Sequence, residues 1–207
     1  MVHSRGSLDG ALDHLAAVEP AFGAVIASHG RPEVRISDRG VASLMRTIVG
    51  QQVSVAAARS MWGKLEGAYG SPPDLHAILA ASDEELRALG QSRQKSGYLR
   101  SLAGLVLSGE LDLDALPEDD EEAIALLTRI KGVGRWSAEI YLLFAEGRGD
   151  VWPAGDLAVQ VEVGRLLGLE ARPSEKELRA LAEAWRPHRG AAAVLAWHSY
   201  NQVGTAL

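Results

Sequence analysis

The sequence predicts an all-α protein. Apolar residues recur at spacings of three and four along nearly the whole chain, which is the period of an amphipathic helix. Sustained alternation of apolar and polar residues, the pattern of a strand, is confined to the short stretch 33–36. Glycine and proline interrupt the helical pattern most clearly at 70–73 and 153–155. Together these observations predict helices joined by short turns.

The helices can be delimited from the periodicity and from start signals. Ser82 and Ser174 are each followed three residues later by a glutamate, which is the capping-box pattern of a helix start. The predicted helices span 7–18, 21–29, 40–50, 54–69, 74–80, 83–89, 93–108, 118–130, 135–146, 157–168, 175–185 and 188–203. The chain shows no internal repeat or flexible linker, so we expect a single domain over 1–207.

The composition excludes several classes of protein. The chain has 207 residues, of which 47% are hydrophobic and 23% charged, so it can bury a sizeable core. Because it has no cysteine, disulfides, thiolate zinc sites and cysteine-ligated iron–sulfur clusters are excluded. No apolar run reaches the roughly 18 residues of a membrane span, and no secretory signal is recognisable. We therefore expect a cytoplasmic protein without a membrane partner.

The formal net charge of −6 argues against a protein that grips nucleic acid through bulk positive potential. The charge is uneven, however, because the windows 86–100 and 123–138 contain basic residues and no acidic ones. The basic residues in these windows are Arg87, Arg93, Lys95, Arg100, Arg129, Lys131 and Arg135. Taken alone, each window is explained better by a solvated helix face than by a binding surface.

The most informative motif is 127–138, where Gly132-Val133-Gly134 interrupts a helical pattern that resumes at once. Glycine permits positive φ and close backbone approach, so the N–H groups that begin the second helix can face a phosphate. An acidic protein can contact DNA in this way without much positive charge. The same glycines are also consistent with a simple connection between two packed helices.

Four motifs in order resemble those of the helix-hairpin-helix DNA glycosylases, and within them the 3-methyladenine DNA glycosylase II, or AlkA-type, branch. They are LMRTIVGQQVSVA at 44–56, LGQSRQKSGYL at 89–99, IKGVGRWSA at 130–138 and DVWPAGD at 150–156. The resemblance implies two helical lobes with a cleft between them, the hairpin lobe at about 42–148 and the second at about 1–41 plus 149–207. It also implies base excision repair by hydrolysis of the N-glycosidic bond of alkylated bases such as 3-methyladenine.

Asp156 matches the family's catalytic aspartate. A carboxylate in that role stabilises an oxocarbenium-like transition state and can deprotonate the attacking water. Asp156 is also suited to be a helix N-cap, and one residue can do both; Asp150 is interpreted as structural. Trp136 stands where strand-cutting relatives have a lysine that forms a Schiff base. Since tryptophan cannot attack the sugar, the resemblance implies a monofunctional enzyme.

Trp136 and Trp197 match aromatic positions of the family's base pocket, with Ile140 and Tyr141 beside them. A purine alkylated at N3 or N7 is cationic and stacks well on indole. The resemblance puts the wedge that fills the gap left by the flipped nucleotide in the turn 50–54, at Gln52. The predicted DNA contacts are Gln51, Gln52, Arg93, Lys95, Lys131, Gly132, Val133, Gly134 and Arg135.

The resemblance implies no required cofactor, but it suggests a monovalent cation, Na or K, on the backbone carbonyls of Thr128, Ile130 and Val133. The expected partner is double-stranded DNA with alkylated bases, bound by a monomer that is nucleoid-associated if the protein is bacterial. Two alternatives stay open. One is a non-catalytic helix-hairpin-helix DNA-binding module, and the other is a glycosylase for a different lesion, such as a deaminated or oxidised base.

Overall fold

The computed structural model describes residues 4–204, and every regular element in that part of the chain is helical. This confirms the predicted all-α class, and residues 33–36 form no strand. None of the helices within 4–204 has the combination of length and apolarity that crossing a membrane requires. The elements are α1 (Arg5–Val18), α2 (Pro20–His29), α3 (Val41–Gly50), α4 (Val55–Tyr69), α5 (Leu75–Ala80), α6 (Asp83–Ala88), α7 (Arg93–Leu107), α8 (Asp120–Leu127), α9 (Arg135–Phe144), α10 (Leu157–Leu166), α11 (Glu175–Leu181), a 3-10 helix (Ala182–Trp185) and α12 (Arg189–Gly204).

Side-chain caps fix many of the helix starts. Both predicted capping boxes are confirmed: Ser82 and Ser174 accept from the backbone three residues on, and a glutamate carboxylate accepts from each cap residue. A third box, at Ser4 and Ser7, lacks the glutamate that the sequence pattern requires and was therefore missed. Helix α8 ends at Leu127, three residues before the predicted end at 130, because the chain already turns at 128.

The chain divides into two compact units, one of residues up to Ser37 and from Glu139 onward, the other Asp38–Ala138. The resemblance implies a lobe boundary at about 148, whereas the chain passes from one compact unit to the other within α9, because the second half of that helix buries Leu143 in the core of the first unit. Glycine and proline mark where helices end, but they do not mark where packing changes.

The core of the first unit is built around α12, which packs against α1, α2 and α10. Ala191–Ala193 are fully buried, and such small side chains let neighbouring helices approach closely. Three aromatic rings complete the core: Trp185 lies edge-on to Phe22 at 4.9 Å and to Trp152 at 5.5 Å between centroids. Trp185 is therefore a core residue.

The second unit is organised around α7, which packs against α3, α5 and α6, while α4 packs on α3. Leu99, Leu102 and Ala103 of α7 are completely buried, as is Ile48 of α3. Full burial of an aliphatic side chain contributes about 1.5–3 kcal/mol, so this face holds α7 firmly in place. Helix α7 consequently offers a rigid support for the turns that follow α3 and α8.

A buried carboxylate joins α10 to α12 in the first unit. Glu162 is 1% exposed and accepts from Arg165 Nε at 3.0 Å, and Arg165 also donates to Ser199 Oγ of α12 at 3.3 Å. Burial alone would raise the pKa of Glu162, but hydrogen bonds from Arg165 and Ser199, together with the charge of Arg165, lower it overall. The ionised carboxylate is therefore part of the native structure.

We expect Glu162→Gln to lower the free energy of unfolding by about 1–3 kcal/mol at pH 7, because hydrogen bonds to a charged group are lost. A carboxyl group with a lowered native pKa contributes stability above its unfolded pKa, and this contribution disappears as the pH falls through the native pKa. The difference between wild type and variant should accordingly shrink below about pH 5. Urea unfolding at several pH values measures it, and a difference that persists unchanged at pH 3 would contradict the ionised state.

Candidate functional site

Asp156 caps the N-terminus of α10 after a buried, non-helical segment, Val151–Ala154. Its Oδ1 atom accepts two hydrogen bonds, one from the backbone N–H of Val159 and one from Nε1–H of Trp197, both at 3.0 Å. The side chain itself is half-buried. The predicted N-cap role is confirmed, and the carboxylate is held in one orientation by two donors from different helices.

The link between Trp197 and Asp156 was missed by sequence reasoning. The two residues are 41 positions apart, so no local pattern relates them. Trp197 is half-buried on α12, and its ring lies against Phe144 with centroids 5.7 Å apart. It also borders a cavity of about 380 Å³ with Arg35 and Asn201. In addition to offering an aromatic face, Trp197 therefore positions the candidate catalytic carboxylate.

Side chains of Arg179 and Gln160 donate hydrogen bonds to backbone carbonyls of the segment that leads to Asp156. Arg179 of α11 donates to the carbonyl of Trp152 at 3.3 Å and to Glu139 Oε1 at 2.8 Å, where Glu139 is 1% exposed. Gln160 Nε2 donates to the carbonyl of Ala154 at 2.8 Å. These contacts leave the backbone before Asp156 little freedom to move.

Asp150 has contacts of a different kind. It accepts from Arg186 at 2.7 Å and from Arg189 at 2.9–3.0 Å, so two guanidinium groups surround it. It also accepts from the backbone N–H of Arg189 at the start of α12. This arrangement supports the structural interpretation of Asp150.

The hairpin between α8 and α9 forms around Gly132. This residue has φ +82°, and a Cβ there would overlap the ring of Tyr98. The N–H of Lys131 donates to Ser101 Oγ at 3.0 Å, and the N–H of Val133 donates to the carbonyl of Ile130 at 3.0 Å. Helix α7 thus contacts the hairpin through Tyr98 and Ser101 and fixes its backbone. Gly134, by contrast, has open space where a Cβ would stand.

The turn after α3 lies beside this hairpin. Gln51 Nε2 donates to the carbonyl of Gly132 at 2.8 Å, which joins the two turns directly. Gln52 is exposed and has φ +56°, the left-handed region that disfavours most side chains. A cavity of about 870 Å³ is bordered by both turns, by Trp136 and by Lys95 and Tyr98 of α7.

The basic residues predicted to contact DNA differ in their surroundings. Lys131 and Arg93 are exposed. Arg135 forms an ion pair with Glu121, with Nη1 2.8 Å from Oε2. Lys95 is only 8% exposed and donates to the carbonyl of Val49 at 2.7 Å, and burial lowers its pKa. The DNA contact predicted for Lys95 therefore stays a prediction, and what the structure shows for its ammonium group is the bond to the carbonyl of Val49.

The predicted base-pocket residues occupy both units. Trp136 belongs to the second unit and is 47% exposed, which is unusual for a tryptophan. Ile140, Tyr141 and Trp197 belong to the first unit, where Ile140 is half-buried and Tyr141 is buried. An exposed indole beside a glycine turn is the kind of surface on which an aromatic ligand can stack.

The comparisons with known proteins point in one direction. The family model of the HhH-GPD superfamily base excision DNA repair proteins matches residues 45–187. The chain is 33% identical over 158 residues to DNA-3-methyladenine glycosylase 1 of Schizosaccharomyces pombe, covering 74% of this chain and 69% of that one. The crystal structure of DNA-3-methyladenine glycosidase from Bacillus halodurans is similar with a TM-score of 0.81 and 30% identity, covering 92% of this chain and 89% of the other. The S. pombe 3-methyladenine DNA glycosylase in complex with abasic DNA is similar with a TM-score of 0.76 and 28% identity, covering 94% and 97%.

The two hairpin glycines should respond differently to alanine. Gly132→Ala adds a Cβ that overlaps Tyr98 at a positive φ, so we expect a loss of several kcal/mol in the free energy of unfolding. Gly134→Ala is the matched control, since its Cβ meets nothing within 4 Å. Thermal unfolding followed by circular dichroism compares them. Equal melting temperatures for the two variants would contradict the close contact between Tyr98 and the hairpin.

Proposed function

Because the chain belongs to the HhH-GPD superfamily of base excision DNA repair proteins, we propose that it is a monofunctional DNA glycosylase that hydrolyses the N-glycosidic bond of alkylated bases such as 3-methyladenine. The observation that carries the proposal is the fixed carboxylate of Asp156, whose Oδ1 accepts from both Val159 and Trp197. Its relatives named as 3-methyladenine glycosylases support the choice of substrate class.

The chemistry follows from the position of this carboxylate. When the bond between C1′ and the base nitrogen breaks, its electron pair neutralises the cationic base and positive charge develops on the deoxyribose. A preorganised carboxylate stabilises that charge without having to reorient. Asp156 then accepts a proton from the water whose oxygen attacks C1′. The products are the free base and an abasic site.

Stacking on the base is assigned to indole faces: Trp197 offers one next to Asp156, and Trp136 is an exposed indole of the second unit. A cationic alkylated purine is attracted to an electron-rich aromatic face, an interaction worth about 0.5–2 kcal/mol that normal bases gain less from. The alkylated base is also a good leaving group, so little hydrogen bonding to it is needed. Exclusion of normal bases then depends on the shape of the pocket.

Double-stranded DNA is assigned to the hairpin and to the turn after α3. The exposed Gly132 and Gly134 allow close approach of a phosphate to backbone N–H groups, and Lys131 adds a positive charge beside them. The exposed Gln52 is the wedge, which hydrogen-bonds to the base left without a partner. Arg135 adds to this surface if a phosphate replaces Glu121 as its partner.

A monovalent cation at the hairpin is a further part of the proposal. The carbonyl of Ile130 accepts the N–H of Val133 and has a second lone pair, so it can still act as a ligand together with the carbonyls of Thr128 and Val133. Such a cation would add positive charge where the DNA backbone approaches. The active species is proposed to be a monomer in the cytoplasm.

Asp156→Asn should abolish base release while preserving the fold. Asparagine caps helices as well as aspartate does and keeps an oxygen for Val159 and Trp197, so only the negative charge is removed. We expect release of methylated bases from duplex DNA to fall by at least about 10²–10³-fold, with binding to abasic duplex retained. In the wild type, abasic sites should be nicked only after alkali, because Trp136 cannot form a Schiff base.

The matched control is Asp74→Asn, which makes the same change at the N-cap of α5, where Asp74 accepts from Ala77 at 2.8 Å. Its activity should equal that of the wild type. If the wild type binds abasic duplex but releases no base, and Asp156→Asn binds equally well, the non-catalytic binding module is favoured. Release of deaminated or oxidised bases in place of alkylated ones would assign a different lesion class.

Trp197→Phe separates the two functions assigned to Trp197. Phenylalanine keeps an aromatic face but cannot donate to Asp156 Oδ1, so we expect the single-turnover rate of base release to fall about tenfold. Trp136→Phe changes the same ring type at the other stacking position and should lower the rate less. If both variants lose the same activity, stacking alone accounts for Trp197 and its positioning role is wrong.

A further inference from the structure

The turn that carries Gln52 is strained and needs external support. Among residues 4–204, Gln52 is the only non-glycine residue with a positive φ. Such a conformation costs of order 1 kcal/mol or more and persists only when surrounding contacts determine it. Helix α3 ends just before it at Gly50, and the last carbonyls of a helix have no partner within the helix.

Lys95 supplies such support from α7. Its Nζ donates to the carbonyl of Val49 at 2.7 Å, in the last turn of α3, where the helix dipole favours a cation. Only 8% of the surface of Lys95 is exposed, and its ammonium group is directed to a backbone carbonyl. Burying an ammonium group is costly unless it is hydrogen-bonded, and an apolar side chain of similar length would fill the same space without that cost. What lysine adds is the bond to the end of α3.

The same helix also fixes the neighbouring hairpin. Tyr98 and Ser101 follow Lys95 at intervals of three residues, so all three lie on adjoining parts of the helix surface. The ring of Tyr98 packs over Gly132, and Ser101 accepts from the N–H of Lys131 at 3.0 Å. Since Gln51 donates to the carbonyl of Gly132, both turns are tied to α7 and to each other.

We propose that Lys95 is a positioning residue that acts on base flipping through Gln52, by fixing the end of α3 and thereby the register of the Gln52 turn against the hairpin. It does not contact phosphate. This inference rests on the proposed function, in which Gln52 enters the duplex. It gives a specific role to a lysine that lies outside the catalytic chemistry.

The test uses the full chain and a duplex with 2-aminopurine opposite a tetrahydrofuran abasic analogue, so that wedge insertion changes the fluorescence without catalysis. Lys95→Met keeps the length of the side chain, and Gln52→Ala removes the wedge. We expect each variant to reduce the fluorescence change on binding by a similar amount, and the double variant to reduce it no further, because the two residues act as one unit. Additive losses, or a full response in Lys95→Met, would overturn the proposal.

Two further measurements separate positioning from direct contact and from misfolding. Removing a phosphate contact lowers the dependence of log Kd on log salt by about 1, so Lys131→Met should show that decrease and Lys95→Met should not. A decrease in Lys95→Met would overturn the proposal. Lys64→Met, the same substitution at an exposed position of α4, is the control for the change itself. If Lys95→Met does not fold, Lys95→Gln, whose shorter amide cannot reproduce the ammonium bond, takes its place.

Base release distinguishes this inference from the proposed function. We expect Lys95→Met to release 7-methylguanine about tenfold more slowly than wild type when the lesion is paired with cytosine, and at nearly the wild-type rate when it lies opposite an abasic spacer, because an unpaired base is easier to flip. Equal slowing on both duplexes would overturn positioning. If wild type releases no base, the glycosylase proposal fails, whereas the fluorescence test of Lys95 still decides this one.

Discussion

Two hydrogen bonds to Oδ1 of Asp156 fix the orientation of this carboxylate, and both depend on how the helices of the first unit pack. The N–H of Val159 fixes the carboxylate to its own helix, and the indole of Trp197 fixes it to α12. The position of α12 depends in turn on small buried residues and on the bond from Gly190 N–H to the carbonyl of Gly149, where a Cβ on Gly190 would collide with the backbone. The geometry of a single carboxylate thus depends on packing throughout the unit, so distant core substitutions are expected to alter catalysis as well as stability.

The electrostatics of the second unit explain how an acidic protein can take DNA as its partner. Arg100, Arg129 and Arg135 are paired with acidic side chains, and Lys95 is bonded to a carbonyl, so much of the local positive charge is balanced internally. What the hairpin offers to a phosphate is mainly backbone N–H and a few exposed cations such as Lys131. The salt dependence of binding should accordingly be shallower than the number of basic residues in the two windows indicates.

Sequence reasoning succeeded where the determining interactions are local. Helix class, capping boxes and the glycine hairpin all depend on residues within one or two turns of one another, and Ser82 with Glu85 is a clear case. It failed where contacts are long-range. The burial of Lys95 depends on the end of α3, 46 residues earlier, and the bond between Trp197 and Asp156 spans 41 residues. The sequence pattern of a basic window does not distinguish a lysine that faces solvent from one that donates to a carbonyl. The unit boundary inside α9 does not alter the helical periodicity either.

Asp156 and Lys95 share a property that helps to separate folding from function. The fold requires an N-cap at 156, which asparagine or serine satisfies as well, and it requires a long side chain at 95, which methionine satisfies with less desolvation. At neither position does the helix pattern call for a charge. At each position the charge goes beyond what the helix pattern requires, and contacts within the fold hold it in place. The charge of each residue is therefore the feature that calls for a functional explanation. We propose that for Asp156 this explanation is the positive charge that develops on the sugar, and for Lys95 the strained turn that carries Gln52.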